Sequence, residues 1–267
     1  MIGLGPSGSD IAAQITEYCT NPLLVSTRST PTNLPHGARS LPAISEFVPE
    51  SRGIRFANGE LVEQLDTIMF CTGYLYTYPF LTDEMRKSLI YPPKDEQQKF
   101  YPGERCRNVY QHLFYTTDPT LAFLTLPWNI VPFPVAEAQG AVVARAWSRR
   151  IELPSKQAMR RWELQTEAEK GTGKPFHKLA PPEDVEYINA LWNWAKLADS
   201  SGEANGVVNG HTDSERDYRR KEPPYWGSWQ RWMRMNVPKF KKAFAQRGEE
   251  RHQIRTLGDL GFRFPEQ

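Results

Sequence analysis

A chain of 267 residues with Lys+Arg 33 against Asp+Glu 31 carries a net charge of +2, too small to steer it towards nucleic acid. Trp 8, Tyr 11 and Phe 13 supply apolar material for a sizeable core, while 22 prolines imply many loops. Cys19, Cys71 and Cys106 are far apart and odd in number, which fits a reducing, cytoplasmic setting better than a disulfide framework. No run reaches the length of a transmembrane helix, and no basic stretch followed by an apolar one marks a signal peptide.

The chain opens on Met-Ile-Gly-Leu-Gly-Pro-Ser-Gly, where Gly3, Gly5 and Gly8 have the spacing G-x-G-x-x-G. Gly3 allows a tight turn from strand to helix, Gly5 lets a pyrophosphate approach bare backbone, and Gly8 lets the helix pack closely on its sheet. Ile11, Ala12, Ile15 and Cys19 then recur at helical steps until Asn21-Pro22, and residues 23–27 read as a short buried strand. Strand stub, glycine turn, helix and strand are the elements of a Rossmann-like dinucleotide unit. Such a unit for NAD places an acid about 20 residues after the glycines to hold the ribose hydroxyls. Here Arg28 stands there, among Ser26, Thr27, Ser29 and Thr30, and no acid follows before Glu46. A guanidinium with neighbouring hydroxyls suits a 2′-phosphate, so the expected cofactor is NADP(H).

Residues 31–50, with Pro31, Pro35, Pro42 and Pro49, read as a loop. A hairpin follows over 53–62 around Asn58-Gly59, and 65–74 reads as a buried parallel strand ending at Gly73. Further on, 109–115 and 121–124 read as strands and 136–151 as a helix. Residues 155–170 look helical, and 182–198 form an amphipathic helix with Tyr187, Leu191, Trp194 and Leu197 on one face. Residues 199–214 are poor in apolar side chains and are expected to be a mobile loop. Gly171-Thr172-Gly173-Lys174 is not a P-loop, because Ala168 and Pro175 stand at required positions. Residues 225–247 hold six basic residues and no acid among Trp and Phe. Because Pro238 interrupts the helix, they are expected to pack on the core with the cations outward, the alternative being peripheral contact with an anionic membrane. The histidines (His36, His112, His177, His211, His252) are isolated in sequence, so no metal site is expected, and no residue is nominated as catalytic. A lone His112 among Leu, Phe and Tyr reads as a structural hydrogen-bonding residue.

Residues 3–10, 25–28, Asp-Thr-Ile-Met-Phe-Cys-Thr-Gly-Tyr at 66–74 and Tyr-Pro-Phe-Leu at 78–81 together resemble the flavin-containing monooxygenases, fungal members in particular. The third segment is similar to the family's Phe-Ala-Thr-Gly-Tyr motif, with Cys71 at the alanine. Ala136-Glu137-Ala138-Gln139 is similar to the start of the helix that approaches the flavin. Thr125 stands where relatives often have glycine. The resemblance implies FAD- and NADPH-dependent oxygenation of small amine or sulfur nucleophiles, with the chemistry on the cofactor. It places Gly3, Gly5, Pro6, Ser7 and Gly8 at the NADP pyrophosphate, Arg28 and Ser29 at the 2′-phosphate, and Thr72-Gly73 at the NADPH–FAD junction.

The family's earlier FAD glycine motif and its Phe-x-Gly-x-x-x-His segment have no match. The expected fold is therefore an α/β Rossmann-like dinucleotide-binding fold in truncated form. It comprises a partial NADP(H)-binding domain (1–75), a remnant of the FAD/NADP junction with the flavin-facing helix (76–154) and a helical extension (155–267). The truncation is expected to reflect a shortened product or an incomplete gene model, with apolar sheet exposed. The competing expectation is a non-catalytic NADP-binding or interaction protein derived from a monooxygenase, and the oligomeric state stays open.

Overall fold

Three residues at the start of the chain form the middle of a parallel sheet in the computed structural model, which describes residues 1–31, 34–91, 102–201 and 222–265. The chain divides into two compact units, Met1–Leu75 and Tyr76–Gln267. In the first, Ser26 N donates to Met1 O (2.9 Å) and Gly3 N to Ser26 O (2.9 Å) on one side. Ile2 N donates to Met69 O (2.8 Å) and Cys71 N to Ile2 O (2.7 Å) on the other. Strand β1 (Leu24–Ser26) pairs in parallel with β2 (Arg39–Leu41), Val25 opposite Ser40. The lateral order is thus β2, β1, Met1–Gly3 and Met69–Cys71, all parallel, with helix α1 (Pro6–Ile15) as the crossover from Gly3 towards β1. This is the α/β dinucleotide-binding arrangement expected from the sequence. Helix α1 gives way to a 3-10 turn at Thr16, so Cys19 lies beyond its apolar face and is exposed.

The loop expected over 31–50 is incorrect: β2 lies within it, as does β3 (Ile44–Val48), which starts an antiparallel meander with β4 (Gly53–Phe56) and β5 (Leu61–Val62). Pro42 directly follows β2 and Pro49 directly follows β3, so the prolines end strands rather than dissolve them. Leu41, Ile54 and Phe56 form the core of this layer, against Leu24, Ile44, Val62 and Leu65. The expected strand near residue 70 is parallel, through the Ile2–Phe70 bridge, but it is not buried. Phe70 is 63% exposed and Met69 36%, since no strand among the described residues lies beyond this edge.

In the second unit, helix α2 (Asp83–Ile90) starts at Thr82, whose Oγ1 accepts from Met85 N, and buries Leu89 and Ile90. The single strand expected over 109–115 is instead a hairpin, β6 (Val109–Tyr110) and β7 (Phe114–Tyr115). It reverses at Gln111 and His112, both left-handed at φ 52° and 51°. The strand expected at 121–124 reduces to one bridge, Phe114 to Ala122. Helix α3 (Pro132–Trp147) begins four residues before Ala136, because Pro132 and Pro134 fit a first turn that lacks N–H partners in any case.

Helix α4 (Lys156–Lys170) is capped by Ser155 and ends at Gly171, φ 98°. Helix α5 (Glu183–Ser201) packs on α3 through Tyr187, Ile188, Leu191, Ala195 and Ala198 against Val135, Ala138, Val142 and Val143. Leu197, expected on that face, lies about 100° round the helix from Ala198 and is 59% exposed. Helix α6 (Ser228–Gln246) runs through Pro238, which the sequence reading took as an interruption. Its Trp232 and Phe240 pack on Phe264 and Phe262 from the C-terminal segment, at ring separations of 5.6 and 4.8 Å. The mobile loop expected at 199–214 falls mostly outside the described residues, apart from the last turn of α5.

Candidate functional site

The carboxyl ends of three neighbouring parallel strands carry every residue nominated for the dinucleotide. Gly3 ends the central strand with φ +91°, and a Cβ there would meet Cys71 O at 2.6 Å. A Cβ on Gly8 would meet Gly3 O at 2.5 Å, so the helix start and the turn touch as bare backbone. Gly5 differs: a Cβ there would meet nothing within 4 Å, which leaves open space above the turn. Gly5 caps α1 without a side-chain bond, Pro6 supplies the first helical position, and the first turn holds no acid. The N–H groups of Ser7 and Gly8 precede the first intrahelical donor, and the dipole adds positive potential there.

Beside this turn, Arg28 and Ser29 follow the end of β1 and are exposed. Arg28 has no carboxylate within ion-pair distance among the described residues. Thr27 Oγ1 donates to Ser29 O (2.7 Å), whereas the Ser26 hydroxyl is buried and donates to Pro42 O (2.7 Å). Ser26 therefore ties the sheet together and does not offer its hydroxyl to a ligand. On the other side, Thr72 and Gly73 continue from the strand whose Cys71 N bonds Ile2 O, and both are exposed, Gly73 with φ +83°. Gly3, Gly5, Pro6, Ser7, Gly8, Arg28, Ser29, Thr72 and Gly73 thus share one edge of one sheet. That is where open α/β sheets hold ligands.

The histidines are not all isolated. His112 and His177, 65 positions apart, meet with Nδ1–Nδ1 at 2.9 Å in the second unit. His177 Nε2 lies 3.0 Å from Cys106 O and 3.2 Å from Cys106 N, and the short contact between the rings requires one Nδ1 to carry the proton and the other to accept it. Trp162, Phe176 and Tyr187 surround the His112 ring edge-on. Burial pushes His177 down to about 3 and His112 well below its ordinary value, so both are neutral. Such a buried pair is structural, in keeping with the reading of His112, and no cluster of metal-ligating side chains occurs among the described residues.

The sequence reading noted Gln139 only as part of the segment at the start of the flavin-facing helix and missed its bonding role; it is fully buried on α3. Its Oε1 accepts from Thr125 N (2.7 Å), and its Nε2 donates to Tyr187 OH (2.8 Å), which in turn donates to Gln111 O (2.7 Å). Thr125 has φ 59°, the left-handed backbone that glycine adopts most easily, and Gln139 holds it there. A glutamine between Ala138 and Val142 on an otherwise apolar stripe was the available signal.

Residues 31–200 match the flavin-binding monooxygenase-like family. The flavin-containing monooxygenase ustF2 of Aspergillus flavus is 31% identical over 241 residues, 83% of this chain and 48% of that protein. The thiol-specific monooxygenase of Saccharomyces cerevisiae is 24% identical over 156 residues, 57% of this chain and 35% of that protein. Among solved structures, the S-allyl-L-cysteine S-oxygenase of Allium sativum aligns with a TM-score of 0.62 at 24% identity, over 97% of this chain and 52% of that one. Tmm from Pelagibacter aligns at 0.54 and 17% identity, over 76% and 45%. These last two likenesses concern the fold. The chain spans about half the length of the first of these curated relatives and about a third of the second.

Proposed function

Because this chain belongs to the flavin-binding monooxygenase-like family, we propose that it supplies the NADP(H)-binding part of a FAD- and NADPH-dependent monooxygenase. The proposed substrates are small molecules with a nucleophilic nitrogen or sulfur. Two of the similar proteins are named for sulfur substrates, a thiol-specific monooxygenase and an S-oxygenase, which favours sulfur. The observation that carries the cofactor reading is the shared edge of Gly3–Gly8, Arg28 and Thr72-Gly73. Room above Gly5 and close backbone contact at Gly3 and Gly8 fit a pyrophosphate lying on the first turn of α1.

NADPH, when bound, supplies the hydride that the chemistry needs. Ser7 and Gly8 would donate backbone N–H groups to the pyrophosphate, and Pro6 removes a donor that would otherwise need a partner. Arg28, with Ser29, would hold the 2′-phosphate, and Thr72-Gly73 would border the far side of the turn. For FAD the residues present form no corresponding cradle: the sequence has no second G-x-G-x-x-G, and Gly171 ends a helix rather than opening one. We assign no residue of this chain to the FAD pyrophosphate. A second reading is a non-catalytic NADP-binding protein of monooxygenase origin.

Titration of the purified chain with NADPH and NADH tests the cofactor reading. NADPH should bind more tightly, and Arg28→Ala should weaken NADPH by about thirtyfold while leaving NADH nearly unchanged. Equal weakening of both would remove Arg28 from the 2′-phosphate. Flavin absorbance retained after incubation with FAD and desalting supports the monooxygenase reading for this chain. A colourless protein that still binds NADPH supports the second.

A further inference from the structure

A cavity of about 510 Å³ opens in the second unit between α2 and α4, on residues that the NADP(H) reading does not use. Arg105 and Arg107 both line it, while Cys106 between them turns into the core. The two arginines are in different states. Arg105 is buried on the ring of Phe176 (3.6 Å to the centroid) and takes both nearby carboxylates, Glu163 at 2.5 Å and Glu167 at 2.9 Å. Arg107 is half-buried and has no carboxylate within ion-pair distance among the described residues, and Lys87 at the rim has none either. Burial, and then the neighbouring Arg105, disfavour the Arg107 charge; Glu167 and Glu163 offset this only in part, and a bound anion would offset the rest.

The neutral groups on the wall have the same sense. Ser88 Oγ already accepts from Asn108 Nδ2 (3.0 Å) and Tyr115 OH (3.0 Å), so the capacity it has left is to donate. Tyr91 also lines the cavity. Among the described residues, Arg107 and Lys87 line one volume without an ion-paired carboxylate, beside Ser88 and Tyr91, and the two carboxylates that line it, Glu163 and Glu167, are ion-paired with Arg105. We propose that this cavity binds a phosphate group, through Arg107 and Lys87 with support from Ser88 and Tyr91. The volume is in the range of small-molecule sites, so a phosphorylated metabolite is the favoured form of the ligand over free phosphate.

Calorimetry and thermal melts of the full chain, with inorganic phosphate titrated at constant ionic strength, test this. Saturable binding is expected, with no saturation in chloride. Arg107→Gln should weaken it about tenfold and Lys87→Ala about threefold, whereas Arg28→Ala should leave it unchanged. Lys87 lies on an exposed helix face, so its variant keeps the test available should Arg107→Gln fold poorly. Tighter binding of glycerol 3-phosphate than of inorganic phosphate identifies an organic phosphate as the ligand; equal or weaker binding identifies the free ion. Absence of saturation overturns the proposal, as does binding that both cavity variants leave unchanged, or binding that only Arg28→Ala weakens.

Discussion

Gly5 and Gly8 are three positions apart in one motif, yet they meet opposite surroundings. A methyl group on Gly8 would drive into the Gly3 carbonyl at 2.5 Å, so helix or strand must shift. Gly8→Ala should therefore cost about 1–3 kcal/mol of stability, read as a lower urea midpoint of the first unit. The same change at Gly5 enters open space and should leave the urea midpoint where it is. Gly5→Ala should instead weaken NADPH about tenfold, because the methyl occupies the volume assigned to the pyrophosphate. Unchanged NADPH affinity in a folded Gly5→Ala protein would count against that assignment. The glycine spacing and Arg28 were legible because the chemistry is local, each feature needing only its neighbours in sequence. Gln139 and the His112–His177 pair were not, since their partners come from segments 14 to 65 positions away.

At the scale of elements, periodicity located α1 and α5 because each repeats an apolar face, whereas α4 read as helical and charged and buries Met159, Glu163 and Thr166. Periodicity failed where proline was taken as a stop. Pro42 and Pro49 border strands, and Pro132 and Pro134 start α3. Pro238 lies within α6, where it forgoes the N–H bond to the Arg234 carbonyl and leaves a weak rung in a helix fixed at both sides of it. On the N-terminal side Arg234 Nε donates to the buried Asp184 (2.5 Å); on the C-terminal side Phe240 packs on Phe262. Since Pro238 is exposed, Pro238→Ala should restore the rung and raise stability by about 1–2 kcal/mol, measured by urea denaturation. A lowered midpoint would show that Pro238 itself is needed to seat Phe240.

For the whole molecule, the buried imidazole pair sets a pH dependence. In the unfolded chain both histidines titrate near their ordinary value of about 6.5, whereas burial holds both well below it in the fold. The unfolded state thus binds more protons below pH 6.5, and folding loses about 1.4 kcal/mol per pH unit for each histidine as pH falls from there towards 5. The contribution is complete above pH 6.5. Carboxylates titrate lower, so a fall in urea midpoint between pH 6.5 and 5 isolates the histidines. His112→Phe should flatten it by about half, and a wild-type midpoint constant over this interval would contradict the pairing. The effect belongs to the second unit, whose core draws on the hairpin, α3 and α5 alike. The first unit has a thin core, the cluster of Leu41, Ile54 and Phe56 with Ala12 and Val25 also buried, and Phe47 and Phe70 leave its surface apolar.

The three cysteines make the glycine turn proposed to hold NADPH its own chemical reporter. Cys19 is exposed and Cys106 is sealed, its thiol pushed up to about 12 by burial, while the partly accessible Cys71 has its Cβ only 3.2 Å from where a Gly8 side chain would start. Alkylation followed by mass spectrometry should label Cys19 first, Cys71 more slowly and Cys106 only after unfolding. Saturating NADPH should slow labelling at Cys71 and leave Cys19 unaffected, giving an occupancy signal that needs no turnover, flavin or known substrate.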